Sequence, residues 1–422
     1  MVEEDFGVGV AIDPSDENRR QLVTTSISNG RVVVAFPTAG GIGRMHQEFF
    51  PLLWIQCEFG RLLTVVNYRP NYSTSGQQSG LFGFADWIFD GLLLEAKDFE
   101  NCLAIELESS ALYDFFDTRV TDIHRINGRV SASANFHNEL LDHELSPCGR
   151  LAIQIDTTLH GRRTETAISE RLVISLKDQH GVSLKERQIV LAQIDQLAVI
   201  LTGVGHARLA YECTFEDQTG RRKNCKMLPQ TTKGGAERTS HGSRRITQKK
   251  LGISTTTLLR NWLSLAHVAN PSVSLFERWH LDRSHNAADE SDLLTLINIH
   301  EIFFNRTKGD DGQKLHKKLR LQIEEWLPLF GIKNSTEFCQ DLANSRNWLS
   351  HFNPSNDVAH KDRTYANLHT YCKLLELVYV CVVLRELKVE AQVVANLLKD
   401  IIAENNGYFL PPVLPMKPHS VD

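Results

Sequence analysis

The sequence predicts an α+β protein: a β-rich N-terminal domain, a sandwich or open barrel, followed by an all-α helical bundle. Three observations carry this. Short alternating and β-branched segments fill the first half, a stretch rich in cations and glycine interrupts the chain at 219–250, and from Ser254 the apolar period becomes helical. The boundaries expected from them are 1–218 for the β-rich domain, 219–250 for a basic flexible linker or loop, 251–285 for a linker helix, 286–405 for the bundle and 406–422 for an extended tail. A length of 422 residues suits such a division, because one core rarely serves so long a chain.

Strand signals begin with the β-branched run Arg31 to Phe36. Leu151, Ile153 and Ile155 alternate with Ala152, Gln154 and Asp156, and Leu172, Ile174 and Leu176 repeat the pattern in Arg171 to Lys177. Leu209 to Phe215 adds a further strand, and the pair Gly40-Gly41 and the polar stretch Asn71 to Gly80 punctuate the series. These runs place an antiparallel β domain over about residues 20–218. Phe50 to Arg61 and Leu184 to Leu201 fit helix or strand, so a mixed α+β first domain stays open.

Residues 219–250 hold ten cations (Arg221, Arg222, Lys223, Lys226, Lys233, Arg238, Arg244, Arg245, Lys249 and Lys250) against the single acid Glu237. With their glycines, serines and threonines they read as a mobile segment able to neutralise several phosphates, or as a solvated linker without a ligand. Arg221, Arg222, Lys223, Arg244, Arg245, Lys249 and Lys250 are the candidate RNA contacts.

Helices follow. Thr257 to Val268 is the first, Ser291 caps a second, and Asp310 to Leu327 carries a third, stopped by Pro328 and Gly331. Ser335 opens a fourth that ends shortly after His351, before Pro354; Thr364 to Leu387 is a long apolar fifth and Val389 to Glu404 a sixth. Short connections between most of them imply an antiparallel bundle.

Composition narrows the function. A formal charge of −5 excludes a chain that is basic throughout, so contact with nucleic acid must be local. No uncharged apolar run reaches the roughly eighteen residues of a membrane span. Leu374 to Leu384 comes nearest, and Glu376 within it favours a buried helix. Met1 to Asp16 is acidic and lacks the pattern of a signal peptide, and eight cysteines without a CxxC read as reduced thiols; both predict a cytoplasmic protein. His206, Cys213, Cys225 and His241 match no common zinc spacing, and no phosphate loop or dinucleotide fingerprint precedes a helix, so neither metal nor cofactor is expected.

Five arginine–histidine pairs stand at close intervals: Arg119/His124, Arg260/His267, Arg278/His285, Arg346/His351 and Arg363/His369. In two of them asparagine follows the arginine, as Asn261 or Asn347, and of these only Arg346 lies inside the expected bundle. Ala343-Asn344-Ser345-Arg346-Asn347-Trp348-Leu349-Ser350-His351-Phe352 resembles the motif segment of the HEPN domain found in ApeA-like phage-defence proteins. Leu293 to Glu301 resembles that domain's first bundle helix, and Leu258 to Leu263 its linker helix. The resemblance covers about residues 255–400; before that it is one of architecture alone.

The resemblance implies a metal-independent endoribonuclease of abortive infection, with RNA, tRNA among the possibilities, as substrate. His351 is then the general base or acid, Arg346 the phosphate holder, Asn347 an orienting group and Glu301 a brace. At 100° per residue Arg346 and His351 stand about 140° apart on an ideal helix. Either the end of the helix redirects His351, or a two-fold homodimer brings two motifs to one cleft. The β-rich domain would sense a phage-derived trigger. A non-catalytic HEPN module for RNA binding or dimerisation, and the toxin of a toxin–antitoxin pair, remain the alternatives.

Overall fold

The structure is a computed structural model that describes residues 2–28, 31–36, 45, 48–71, 81–117, 121–126, 129–134, 139–145, 149–162, 165–177, 182–203, 210–216, 220–229, 246–282, 288–309, 312–351 and 358–404. The chain forms two compact units. One comprises Met1–Tyr113, Arg119–Ala192 and His206–Arg238, and the other Asp114–Thr118, Gln193–Gly205 and Thr239–Asp422. The architecture is α+β, strand-rich first and helical after.

In the first unit the strands are β1 (Val2–Asp13), β2 (Asp16–Ser28), β3 (Arg31–Phe36), β4 (Phe50–Cys57), β5 (Leu62–Pro70), β6 (Leu81–Ala85), β7 (Trp87–Asp90) and β8 (Cys102–Glu108). They continue, after helix α1 (Ser110–Phe116), with β9 (Thr121–Ile126), β10 (Arg129–Ala134), β11 (Glu139–Leu145), β12 (Gly149–Arg162), β13 (Glu165–Lys177), β14 (Ala210–Glu216) and β15 (Arg222–Pro229). Thirteen of them form one sheet in the order β11-β12-β13-β8-β14-β15-β7-β5-β4-β1-β2-β3-β6, while β9 and β10 pair separately. Because β6 also pairs with β5, the run β5-β4-β1-β2-β3-β6 closes on itself as a small barrel. Val23, Val32, Val34, Leu53, Ile55 and Leu63 are among its fully buried residues.

Closure depends on Gly83. It sits opposite Pro70, and a Cβ there would collide with the Arg69 carbonyl and the Tyr68 ring. The β4–β5 turn is tight, with the Cys57 N–H bonded to the Arg61 carbonyl at 2.8 Å and left-handed backbone at Phe59 (φ 62°) and Gly60 (φ 78°).

The expected β domain is therefore a closed barrel extended into a long antiparallel sheet. Both ambiguous segments resolve: Phe50–Cys57 is strand β4, and Leu184–Thr202 is helix α2. Residues 219–250 depart from a linker at their start. Arg222–Pro229 is a strand between β14 and β7, because Cys225 and Met227 alternate inward while Lys223, Asn224 and Lys226 stay exposed. Residues 230–245, with Arg244 and Arg245, lie outside the described residues, as do 405–422 of the expected tail.

The second unit holds α3 (Thr255–Asp282), α4 (Glu290–Lys308), α5 (Leu315–Ile323), α6 (Ser335–His351), α7 (Val358–Glu386) and α8 (Ala391–Glu404), together with the end of α2. The first helix outruns its expected end at Val268 despite Pro271, since Val273, Phe276 and Trp279 continue its buried stripe. The cap of α4 is Asp289 rather than Ser291: Asp289 Oδ1 accepts from the Asp292 N–H at 2.9 Å, and Asp292 Oδ2 accepts from the Asp289 N–H at 3.0 Å. Gly309, at φ 68°, ends the helix with its N–H on the Asn305 carbonyl. The third helix is shorter than expected, because Leu327-Pro328-Leu329-Phe330 fold into a tight turn of their own. Asn367–Glu386 of α7 is long and apolar enough to cross a membrane by composition, yet 83% of that window is buried within the protein.

Candidate active site

Helix α6 positions the motif. Its buried face, Phe338, Leu342 and Leu349, packs into the bundle, and Asp341 accepts a hydrogen bond from the Tyr371 hydroxyl of α7 at 2.5 Å. Ser345, itself buried, meets Thr364 of α7 at 3.0 Å between their hydroxyls. These two links set how α6 is rotated against α7, and hence where the neighbouring Arg346 and Asn347 emerge.

Arg346 is half-buried on the seam beside Leu342 and Leu349, and Asn347 is exposed. Their contact is loose, with Arg346 Nη1 donating to Asn347 Oδ1 at 3.5 Å. A half-buried guanidinium whose hydrogen bond among the described residues is this long one has donors suited to a phosphate. His351 is the last described residue of α6; its side chain and residues 352–357 lie outside the described residues.

Glu301 lies elsewhere in its contacts. On α4 it faces Lys318 of α5, Oε1 to Nζ 3.7 Å, with the lysine side chain only 3% exposed. Its ion pair is thus with a buried amine, and no hydrogen bond or ion pair joins it to Arg346 or Asn347. Lys318 carried no signal as a singular residue in the basic run Lys314 to Arg320; only its burial distinguishes it.

Next to Glu301, His300 is fully buried. Its Nε2 donates to the Leu375 carbonyl at 3.0 Å, its Nδ1 has no hydrogen-bond partner among the described residues, and its ring meets Tyr379 edge-on at 5.5 Å. Burial drops this imidazole to about 4, against the smaller opposing effect of the Leu375 hydrogen bond, so it is neutral near pH 7. Tyr379 also bonds Ser272, whose hydroxyl lies 2.9 Å from both the Tyr379 hydroxyl and the Ile299 carbonyl. This polar core ties α3, α4 and α7 together.

Of the basic candidates, Arg221, Arg222 and Lys223 are exposed at the start of β15 in the first unit. Lys249 and Lys250 belong to the second unit, in a short turn where Lys249 Nζ donates to the Asp117 carbonyl at 3.1 Å. Among the described residues no group of three or more His, Cys, Asp or Glu is placed to hold a metal ion.

Residues 272–393 match the family model described as Apea-like HEPN. The chain carries an Apea-like HEPN domain. The domain starts one residue after Pro271 in α3, takes in α4 to α7 and ends in α8, so Glu301, Arg346, Asn347 and His351 all fall inside it. No curated protein and no solved structure matches the chain. HEPN domains are typically ribonucleases, and the domain directs this chain to RNA-related, nuclease-type work.

Proposed function

We propose that the chain is an endoribonuclease of anti-phage defence, working in the cytoplasm and cutting RNA without a metal ion. The observation that supports it is the placement of Arg346, Asn347 and His351 within six residues on one helix inside the segment that matches the HEPN family model. Cleavage then runs through the substrate. The 2′-hydroxyl loses a proton and attacks the adjacent phosphorus, the bond to the 5′-oxygen breaks, and that oxygen gains a proton. His351 exchanges these protons, because an imidazole titrates near neutrality and a helix C-terminus favours its charged form. Arg346 offsets the charge that grows on the non-bridging oxygens with its fork of donors. Asn347 orients His351 or the phosphate. The product carries a 2′,3′-cyclic phosphate.

A homodimer completes the site in this reading, since a two-fold axis brings two α6 ends together and offsets the angular separation of Arg346 and His351 on one helix. The β-rich unit restrains the nuclease until a phage-derived trigger binds, and tRNA is the substrate class whose loss stops translation. The test is a phage challenge of cells carrying the wild type, Arg346→Ala or His351→Ala. Protection by the wild type alone is expected. Full protection by both variants would reject catalysis and leave a binding module in its place.

A further inference from the structure

Strand β6 is turned inside out for a barrel strand. Its small residues, Gly83 and Ala85, face the core, where Ala85 is buried and Gly83 meets the Tyr68 ring. Its large ones, Phe82 and Phe84, take the opposite face by the alternation of a strand and are partly exposed. The two rings meet edge to face, their centroids 5.6 Å apart. The core on the inner side is filled by Phe36, Phe50 and Tyr68, so barrel packing does not require aromatic rings on the outside. Solvated strand faces are ordinarily polar, and an outward aromatic pair marks a contact surface.

Register places short side chains and cations around the rings. On β3, Val33 stands across from Phe84 and Ala35 across from Phe82; one strand further, Ser26 and Thr24 of β2 stand across from Val33 and Ala35. On the other side Arg69 of β5 stands across from Phe84, with its side chain 65% exposed. Arg31, exposed at the start of β3, has its guanidinium carbon 5.6 Å from the centroid of the Phe84 ring. Direct stacking needs about 3.5–4 Å, so this arginine turns to another partner without breaking a packed contact. Asp86, just after β6, accepts from Asn67 Nδ2 at 2.9 Å and Arg69 Nη2 at 3.3 Å, the latter a surface pair of little strength.

We infer that the outer face of β6, with Arg31 and Arg69, binds single-stranded RNA: unpaired bases stack on Phe82 and Phe84, and the arginines hold the flanking phosphates. Aromatic rings accept the face of any base, and cations beside them suit the backbone. A peptide adding as a strand does not fit, because the β6 backbone is already paired. Strand β3 takes one side; Arg69, Pro70 and the Asn71 N–H, which donates to the Phe82 carbonyl at 3.0 Å, take the other. A duplex does not fit either, since its bases stack on one another. The choice of RNA over DNA rests on the RNA-related work of the HEPN domain, whereas the binding does not depend on cleavage by Arg346 and His351.

Full-length Arg346→Ala protein, in which cleavage does not consume the probe, is titrated into fluorescent oligouridylate, oligodeoxyuridylate of equal length and an RNA duplex, with binding read as anisotropy. Oligouridylate is bound at least as tightly as its deoxy counterpart, and the duplex more weakly. Phe82→Leu and Phe84→Leu, which keep an apolar side chain on the strand, each weaken oligouridylate binding about tenfold, and Phe84→Trp retains it. Arg31→Gln and Arg69→Gln each lower the slope of log affinity against log salt by about 0.7. Should the leucine variants not fold, ultraviolet cross-linking of oligouridylate to the chain with both phenylalanines intact tests the same point, with the adduct expected on the peptide that holds Phe82 and Phe84. No binding of oligouridylate, affinity unchanged in both leucine variants, a duplex or deoxyuridylate bound more tightly, or an adduct only elsewhere in the chain would overturn the inference.

Discussion

Arg346 is half-buried on the stripe of α6 that carries Leu342 and Leu349, and among the described residues its guanidinium hydrogen-bonds the side chain of Asn347, so replacing it removes a charge and little packing. Arg346→Ala is expected to lower RNA cleavage by about 10²-fold or more while leaving the unfolding free energy within about 1 kcal/mol, measured by urea denaturation. Arg346→Lys restores little, because a point charge lacks the guanidinium's paired donors. His300 supplies the opposite case, a residue of the core. Its imidazole is held at about 4, whereas the unfolded chain titrates it near 6.5. The buried neutral ring therefore contributes in full above pH 6.5. That stability is lost as pH falls toward 4, by up to about 3 kcal/mol. Denaturation at pH 7 and pH 4.5 should show the loss in the wild type and a smaller one in His300→Gln. At this scale Arg346-Asn347 and His351 could be proposed from the sequence because they are neighbours in it. The burial of Lys318 and His300 could not, because it is set by partners such as Glu301 on α4 and Leu375 on α7.

Among the elements, the helices were easier to read than the strands. A period of 3.6 residues repeats within one segment, whereas a strand's partner lies elsewhere in the chain. Hence β15 was hidden among the cations of 219–250, its buried positions being Cys225, Met227 and Leu228 after the exposed run Arg222, Lys223 and Asn224. Helix α2 carried a readable start: Ser183 and Glu186 form a reciprocal cap, with the Ser183 N–H on Glu186 Oε2 at 3.0 Å and the Glu186 N–H on Ser183 Oγ at 3.3 Å. Its apolar residues run around more than one face, which obscured the period. Ser183→Ala should cost about 1 kcal/mol in equilibrium unfolding. Gly83→Ala should cost more, about 2 kcal/mol, because barrel closure leaves no space between Arg69 and Tyr68 for a methyl group. Thermal denaturation of both variants ranks them, and a Gly83→Ala protein as stable as the wild type would contradict the closed barrel.

At the scale of the whole molecule the α+β division and the helical C-terminal part were visible from the change of period near Ser254. The barrel was not, since closure rests on the single return of β6 to β5 over Arg69–Phe84 and Pro70–Gly83. The composite-site reading expects a homodimer of about 95 kDa, twice the 47.7 kDa chain, in multi-angle light scattering; a monomer at cellular concentration would leave Arg346 and His351 to one helix. The central claim is catalysis by Arg346 and His351 on RNA's own 2′-hydroxyl. The most direct test is to incubate the activated, purified protein with RNA in EDTA and identify the new 3′ ends. The account expects cleavage in EDTA with 2′,3′-cyclic phosphate ends, lost in Arg346→Ala and His351→Ala. Cleavage abolished by EDTA, or undiminished in both variants, would contradict it.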